Sequence, residues 1–195
     1  MPLSPPAPRE PVHKRTIVCS GFHRADGMWD IEGHLVDIKA YDFHSQFRGD
    51  IVSGEPVHQM WLRLTVDDDM VIREVEAVTD HSPFPICPAI TPNFARLKGM
   101  SIRPGFNTRV RELLGGVEGC THLVEMIGPV ATTAYQTIYP YRERLRRQRG
   151  ETASPAAQPA RRPRFIDTCW GWSSTGEIVR QLYPAHYKGA RDLTS

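Results

Sequence analysis

The sequence predicts an α+β fold: an antiparallel sheet from the N-terminal half, with helices from the C-terminal half packed on one of its faces. Three observations carry this. Residues 57–66 and 70–79 alternate apolar and polar on either side of Asp67-Asp68-Asp69, the pattern of a β-hairpin. Beyond Thr79 the apolar period changes from that of a strand to that of a helix. Strand-like segments all come first and helical ones second, an order that favours a segregated sheet over alternating βαβ units.

The elements follow in order. Residues 1–13 carry five prolines and little apolar content, which predicts a disordered tail. Arg15–Arg24 reads as a strand, and Asp26-Gly27 as the tight turn after it, because this dipeptide tolerates positive φ. In the next strand Trp29, Ile31 and Leu35 share one face, and Asp30, Glu32 and His34 the other. After Leu35 the phase reads as inverted, with Val36, Ile38 and Ala40 apolar, which a bulge near Gly33–Val36 would explain. Tyr41–Glu55 reads as a loop. In the hairpin that follows, His58, Met60, Leu62, Leu64 and Val66 share a face; on the returning strand Val75 and Ala77 oppose Glu74 and Glu76.

Thr91-Pro92 opens a short helix that stops at Gly99, and Pro104–Leu114 forms a second, with Phe106, Val110, Leu113 and Leu114 on one stripe. A third begins at the glycine-rich stretch Gly115–Gly119, with Thr121 as N-cap, and its apolar residues Leu123, Met126, Ile127, Val130, Ala131 and Ala134 recur at helical spacing. It is expected to end near Ile138, because Pro140 removes a donor. The domain reading is one α+β domain over 14–147, a linker over 148–163 rich in Pro, Ala and Arg, a C-terminal segment over 164–187 that docks on the domain, and a tail over 188–195.

Lys and Arg number 24 against 22 Asp and Glu, a net charge of +2. That balance gives no electrostatic footprint for nucleic acid, although eight arginines gather between 142 and 164. No apolar run reaches the ~20 residues that span a bilayer, and no apolar leader precedes the charged residues. Cys19, Cys87, Cys120 and Cys169 are far apart with no Cys-x-x-Cys pair, the usage of reduced thiols in the cytoplasm.

The chemistry concentrates at Cys120-Thr121-His122. There Cys120 would sit at the positive end of a helix dipole, which favours an anion. Thiolates bind soft metals and attack electrophiles. On the helical wheel His122 falls at the edge of the apolar stripe, facing a half-buried cleft, and Glu125 falls further out. Cys87, between Pro85 and Pro88, lies where sheet gives way to helices and is a candidate second ligand. Asp26, Asp30, Glu32, His34 and Asp37 form a polar row along the first hairpin, which is either a source of carboxylate or a solvated sheet face. His58 begins a strand in phase with Met60, and reads as a core histidine or as lining for a cavity mouth. Asp67-Asp68-Asp69 lacks the spacing of a calcium loop and reads as a charged turn.

Taken in order, Asp26–Gly33, His58–Thr65, Leu97-Lys98-Gly99, Gly119–Leu123 and Asp167-Thr168-Cys169 resemble a bacterial family catalogued as a domain of unknown function (number 2889), over about residues 15–185. The resemblance implies a small cytosolic bacterial protein and no particular reaction. A second resemblance is to iron–sulfur scaffold proteins, which also run a sheet into helices. Cys87, Leu97-Lys98-Gly99 and Cys120/His122 are arranged similarly, with Asp26, Asp30 or Cys19 available as a further ligand, while that family's adjacent His-Cys pair is absent.

Three functions are consistent with these residues. The first is a metal site of Cys87, Cys120 and His122 with Asp26 or Asp30, and with Cys169 as a candidate further ligand. It would hold zinc, or iron second, and carry hydrolase or lyase chemistry on a small-molecule substrate. The second is a metal-free enzyme with Cys120 as nucleophile assisted by His122. The third is a non-enzymatic accessory or binding domain that uses the Arg-rich tail.

Overall fold

Sheet and helices meet across one apolar face, and the strand register shows how that face is built. The structure, a computed structural model, describes residues 3–151, 162–163 and 165–189. The first unit covers Met1–Tyr141 and the second Arg142–Ser195.

In the first unit, β1 (His13–His23), β2 (Trp29–Lys39), β5 (Pro56–Val66) and β6 (Ile72–His81) form an antiparallel sheet in the order β1-β2-β5-β6. A separate two-stranded hairpin, β3 (Phe43–Ser45) and β4 (Gly49–Ile51), occupies the segment read as loop. Those strands are three residues each, too short for alternation to reveal them. Arg48 at its turn donates to the carbonyl of Pro56 at 2.8 Å, which ties the hairpin to the start of β5. The Asp67 turn is a side-chain cap: Asp67 Oδ1 accepts the N–H of Asp69 and of Val71, both at 2.9 Å. Asp68 Oδ1 accepts the indole N–H of Trp29 at 3.0 Å.

The phase of β2 does not invert. Trp29, Ile31, Gly33, Leu35 and Asp37 are all buried on one face, so the alternation runs through to a carboxylate. The register irregularity lies one step later, between Asp37 and Ile38. Val36 and Ile38 are apolar residues on the outer face, where partial exposure is ordinary.

Chain continues through a 3₁₀ segment over Cys87–Leu97, then α1 (Phe106–Leu114) and α2 (Thr121–Gln148). The first of these begins before Pro92, the residue expected to open it. Helix α2 crosses the sheet at two glycines. A Cβ on Gly33 would lie 2.7 Å from Val130 Cγ2, and one on Gly21 would lie 2.0 Å from Thr137 Oγ1. Bare backbone at both positions lets the helix lie close. The core is this contact: Ile31, Leu35, Met60, Leu62 and Leu64 from the sheet against Leu123, Met126, Ile127, Val130 and Ala134 from the helix, with Phe94, Leu97 and Phe106 closing it.

Helix α2 does not stop at Pro140; it runs through Pro129 and Pro140 to Gln148. Each proline removes one donor and crowds the carbonyl four residues back. The buried stripe from Leu123 to Ile138 holds the helix over that defect. Its start is also shifted by one residue from expectation. The N–H of Val124 bonds the carbonyl of Cys120 at 2.9 Å, so Cys120, not Thr121, occupies the capping position.

In the second unit, Phe165, Trp172 and Tyr183 form an aromatic cluster with Phe165 and Trp172 ring centres 4.5 Å apart. Asp167, at φ 66°, turns its carboxylate onto the N–H of Ser174 at 2.7 Å ahead of α3 (Glu177–Leu182). Most of the predicted linker (152–161) and the end of the predicted tail (190–195) lie outside the described residues.

Candidate metal centre

The core-facing side of the sheet is a ladder of cross-strand rows. Three successive rows are apolar or small: Gly21–Ile31–Leu64, Cys19–Gly33–Leu62 and Ile17–Leu35–Met60. The next row is Arg15–Asp37–His58, and it is wholly polar. It lies at the end of the sheet where α2 begins, so His122, in the first turn of that helix, comes down onto it.

Asp37 is 1% exposed and is the centre of the row. Arg15 grips it with a fork, Nε to Oδ1 and Nη2 to Oδ2, each at 2.8 Å. Arg15 Nη1 donates to Glu125 at 2.7 Å, so the outward-facing Glu125 reaches the site through the arginine. His58 Nδ1 lies 3.1 Å from Asp37 Oδ2, and His122 Nε2 lies 3.9 Å from the same oxygen. The rings of His58 and His122 are 3.8 Å apart between centres. His13 Nε2 stands 3.3 Å from Asp37 Oδ1, half exposed, at the rim.

Electrostatics set the protonation states. Burial pushes the Asp37 carboxyl up, but the Arg15 hydrogen bonds and charge, with help from His58 and His13, outweigh it and hold the group below the ordinary carboxylate value. Both imidazoles are pushed the other way. Burial lowers His58, with His122 adding to the effect against the pull of Asp37. Burial and then the Arg15 charge lower His122. These directions favour an ionised Asp37 and uncharged His58 and His122, the forms that bind a metal ion.

Among the described residues, Asp37, His58 and His122 form a group whose ligand atoms all lie within 4.8 Å of one another. A tetrahedral ion bound at about 2.0–2.2 Å keeps its ligand atoms about 3.3–3.6 Å apart. The separations of 3.1 and 3.9 Å bracket that value. Oδ2 retains a lone pair beyond its bond from Arg15. The fixed charges of Asp37, Glu125 and Arg15, two carboxylates and one guanidinium, sum to −1, a field that favours a cation.

The residues singled out from sequence fall in several places. His122 is in the group. Cys120 is its neighbour, with Sγ 3.9 Å from His122 Nδ1 on the ring edge away from Asp37, and is not one of the three. Cys87 opens the 3₁₀ segment and Cys169 is exposed in the second unit; neither joins the group. Asp26 and Asp30 are not brought to it either. Asp26 pairs with Arg24 in the first turn. Asp30 is an even position of β2 and so faces away from α2, taking bonds from Thr65 and Arg24. Of the residues singled out as metal ligands only His122 lies in this group, and its other two members are Asp37 and His58. Both carried a signal: each is a polar residue in phase with an apolar face, at the end where that face stops.

A family model described as "Protein of unknown function (DUF2889)" matches residues 13–136, a span that contains the whole site. No curated protein and no solved structure matches. The likeness to iron–sulfur scaffolds finds no counterpart in these comparisons.

Proposed function

The chain belongs to the DUF2889 family, and we propose that it binds a divalent transition-metal ion through Asp37, His58 and His122 and uses it for hydrolase or lyase chemistry on a small molecule. The observation that carries this reading is the convergence of one carboxylate and two imidazoles, from β2, β5 and α2, within 4.8 Å. Three protein ligands leave coordination open to a substrate, the arrangement of catalytic rather than structural sites. Zinc suits the donor set, and iron second, since two histidines and a carboxylate also serve ferrous centres. Once bound, the ion supplies Lewis acidity towards a carbonyl or water.

The chain's own residues supply the rest. Arg15 keeps Asp37 ionised and fixes its orientation, and Glu125 anchors Arg15. His13, half exposed, adds a third imidazole 3.3 Å from Asp37 Oδ1.

The test is elemental analysis of protein purified without a histidine tag, followed by calorimetric titration of apoprotein with zinc. One ion per chain is expected, with binding lost in His58→Ala and His122→Ala. No stoichiometric metal, together with no zinc binding at micromolar concentration, sinks the proposal. A second reading, a Cys120 nucleophile assisted by His122, is favoured only by their 3.9 Å approach. It predicts fast alkylation of Cys120 at neutral pH, slowed in His122→Ala.

A further inference from the structure

The edge of His122 that turns away from Asp37 faces sulfur. Cys120 Sγ lies 3.9 Å from His122 Nδ1 and 3.8 Å from Met60 Sδ. Met60 is 1% exposed and sits in the apolar row directly beside the Arg15–Asp37–His58 row. Its partners there are Leu35 on β2 and Thr79 on β6. A thiol, a thioether and an imidazole are thus collected in one half-buried corner at the start of α2. Gly119 makes that corner. A Cβ there would lie 2.2 Å from the Leu114 carbonyl, so only glycine lets the chain turn back tightly enough to set Cys120 over β5.

We infer that Met60, Cys120 and His122 form a second cation site, which has only His122 in common with the Asp37 group and is selective for a soft monovalent ion, copper(I). Three points of chemistry select the ion. Thiolate and thioether together favour copper(I) over hard cations. Three ligands around an ion at about 2.3 Å from each sulfur place those sulfurs about 4 Å apart in trigonal geometry, close to the 3.8 Å found between Cys120 and Met60. Charge is the third: one thiolate and one monovalent cation sum to zero, and a neutral complex is the least costly to hold against a buried methionine. On binding, the Cys120 S–H bond breaks, an S–Cu bond forms, and the proton leaves to solvent; the metal enters and stays as copper(I), so no electron is transferred.

The site shares His122 with the divalent reading and does not depend on it. The experiment is an anaerobic titration of the full-length protein with copper(I) against a chromogenic bicinchoninate competitor. One copper(I) per chain is expected. Cys120→Ser should weaken it by about a hundredfold or more, and Met60→Leu, which conserves volume and keeps the core packed, by about tenfold. Circular dichroism checks that both variants fold. Cys87→Ser and Cys169→Ser should bind as the wild type does. Asp37→Asn and His58→Ala should keep copper(I) while losing zinc, so failure of one site is distinguishable from failure of the other. Wild-type copper(I) affinity in both Met60→Leu and Cys120→Ser overturns the inference, as does loss of binding on replacing Cys87 or Cys169.

Discussion

Asp37 is a carboxylate that the sheet buries and Arg15 makes tolerable. Replacing it with asparagine keeps the shape, removes the charge and leaves Arg15 facing a neutral amide. Arg15 is a third exposed, so solvent recovers part of the loss. Asp37→Asn is expected to lower unfolding free energy by about 1–3 kcal/mol in a denaturant titration. A value within 0.5 kcal/mol of zero, an ordinary surface effect, would mean that the fork contributes nothing net. His122 carries the second residue-scale prediction. A neutral imidazole offers a lone pair on one nitrogen only, and Nε2 faces Asp37 while Nδ1 faces Cys120. On the two proposed assignments, copper(I) and zinc would draw on opposite tautomers of one ring. Zinc affinity measured on copper(I)-loaded protein should fall well below that of the apoprotein; equal affinities would show that the ring is not shared.

Between elements, the decisive contact is α2 on β1 and β2 at Gly21 and Gly33. It fixes where the helix begins, and so where His122 and Cys120 arrive. Gly33→Ala adds a methyl 2.7 Å from Val130 and 2.9 Å from Met126, both in the packed core. Overpacking of this kind costs about 1–3 kcal/mol. Chemical denaturation should register that loss, and zinc affinity should fall with it because the first turn of α2 is displaced. A destabilised variant with unaltered zinc affinity would mean that the site does not depend on this crossing. The same contact explains why Pro140 fails as a stop signal: local sequence marks a missing donor, whereas the buried stripe of the helix answers to the sheet beneath it.

Across the whole molecule, the site couples stability to pH, and the proposed ion would couple it to metal. His58 and His122 have folded pKa values below the ordinary imidazole value, so below about pH 6.5 the unfolded chain binds protons that the folded chain refuses. Stability they contribute is complete above that pH and is lost as pH falls towards their folded values. Asp37, lowered from its ordinary value, keeps its contribution until below about pH 4. Melting temperature should drop between pH 7 and 5, and drop less in a His58→Ala/His122→Ala double variant; parallel curves would remove the histidines from the account. A ligand at a hundred times its Kd stabilises by about 2.7 kcal/mol. For a chain of this size that raises Tm by roughly 5–10 °C. Differential scanning calorimetry with zinc should show that rise in the wild type and its absence in His58→Ala. No described helix is long and apolar enough to cross a membrane.

Sequence alone determined the α+β order, the β5–β6 hairpin and the apolar stripe of α2, and it placed His122 at the edge of that stripe, because these rest on periodicities and turn residues that act within a few positions. It also contains Asp37 and His58 in phase with apolar faces, but the apolar Val36 and Ile38 mask the phase of Asp37, and a histidine that opens a strand suits a core or a cavity mouth equally. Only the tertiary structure decided that Arg15, Asp37 and His58 share one row, since register between strands 21 or more residues apart is a property of the sheet and not of any strand. It likewise decided that Asp30 faces away, that Cys87 stands apart from the ligand group, and that Met60 lies against Cys120. Ligands converge through side-chain direction across packed elements, and spacing along the chain carries no record of that.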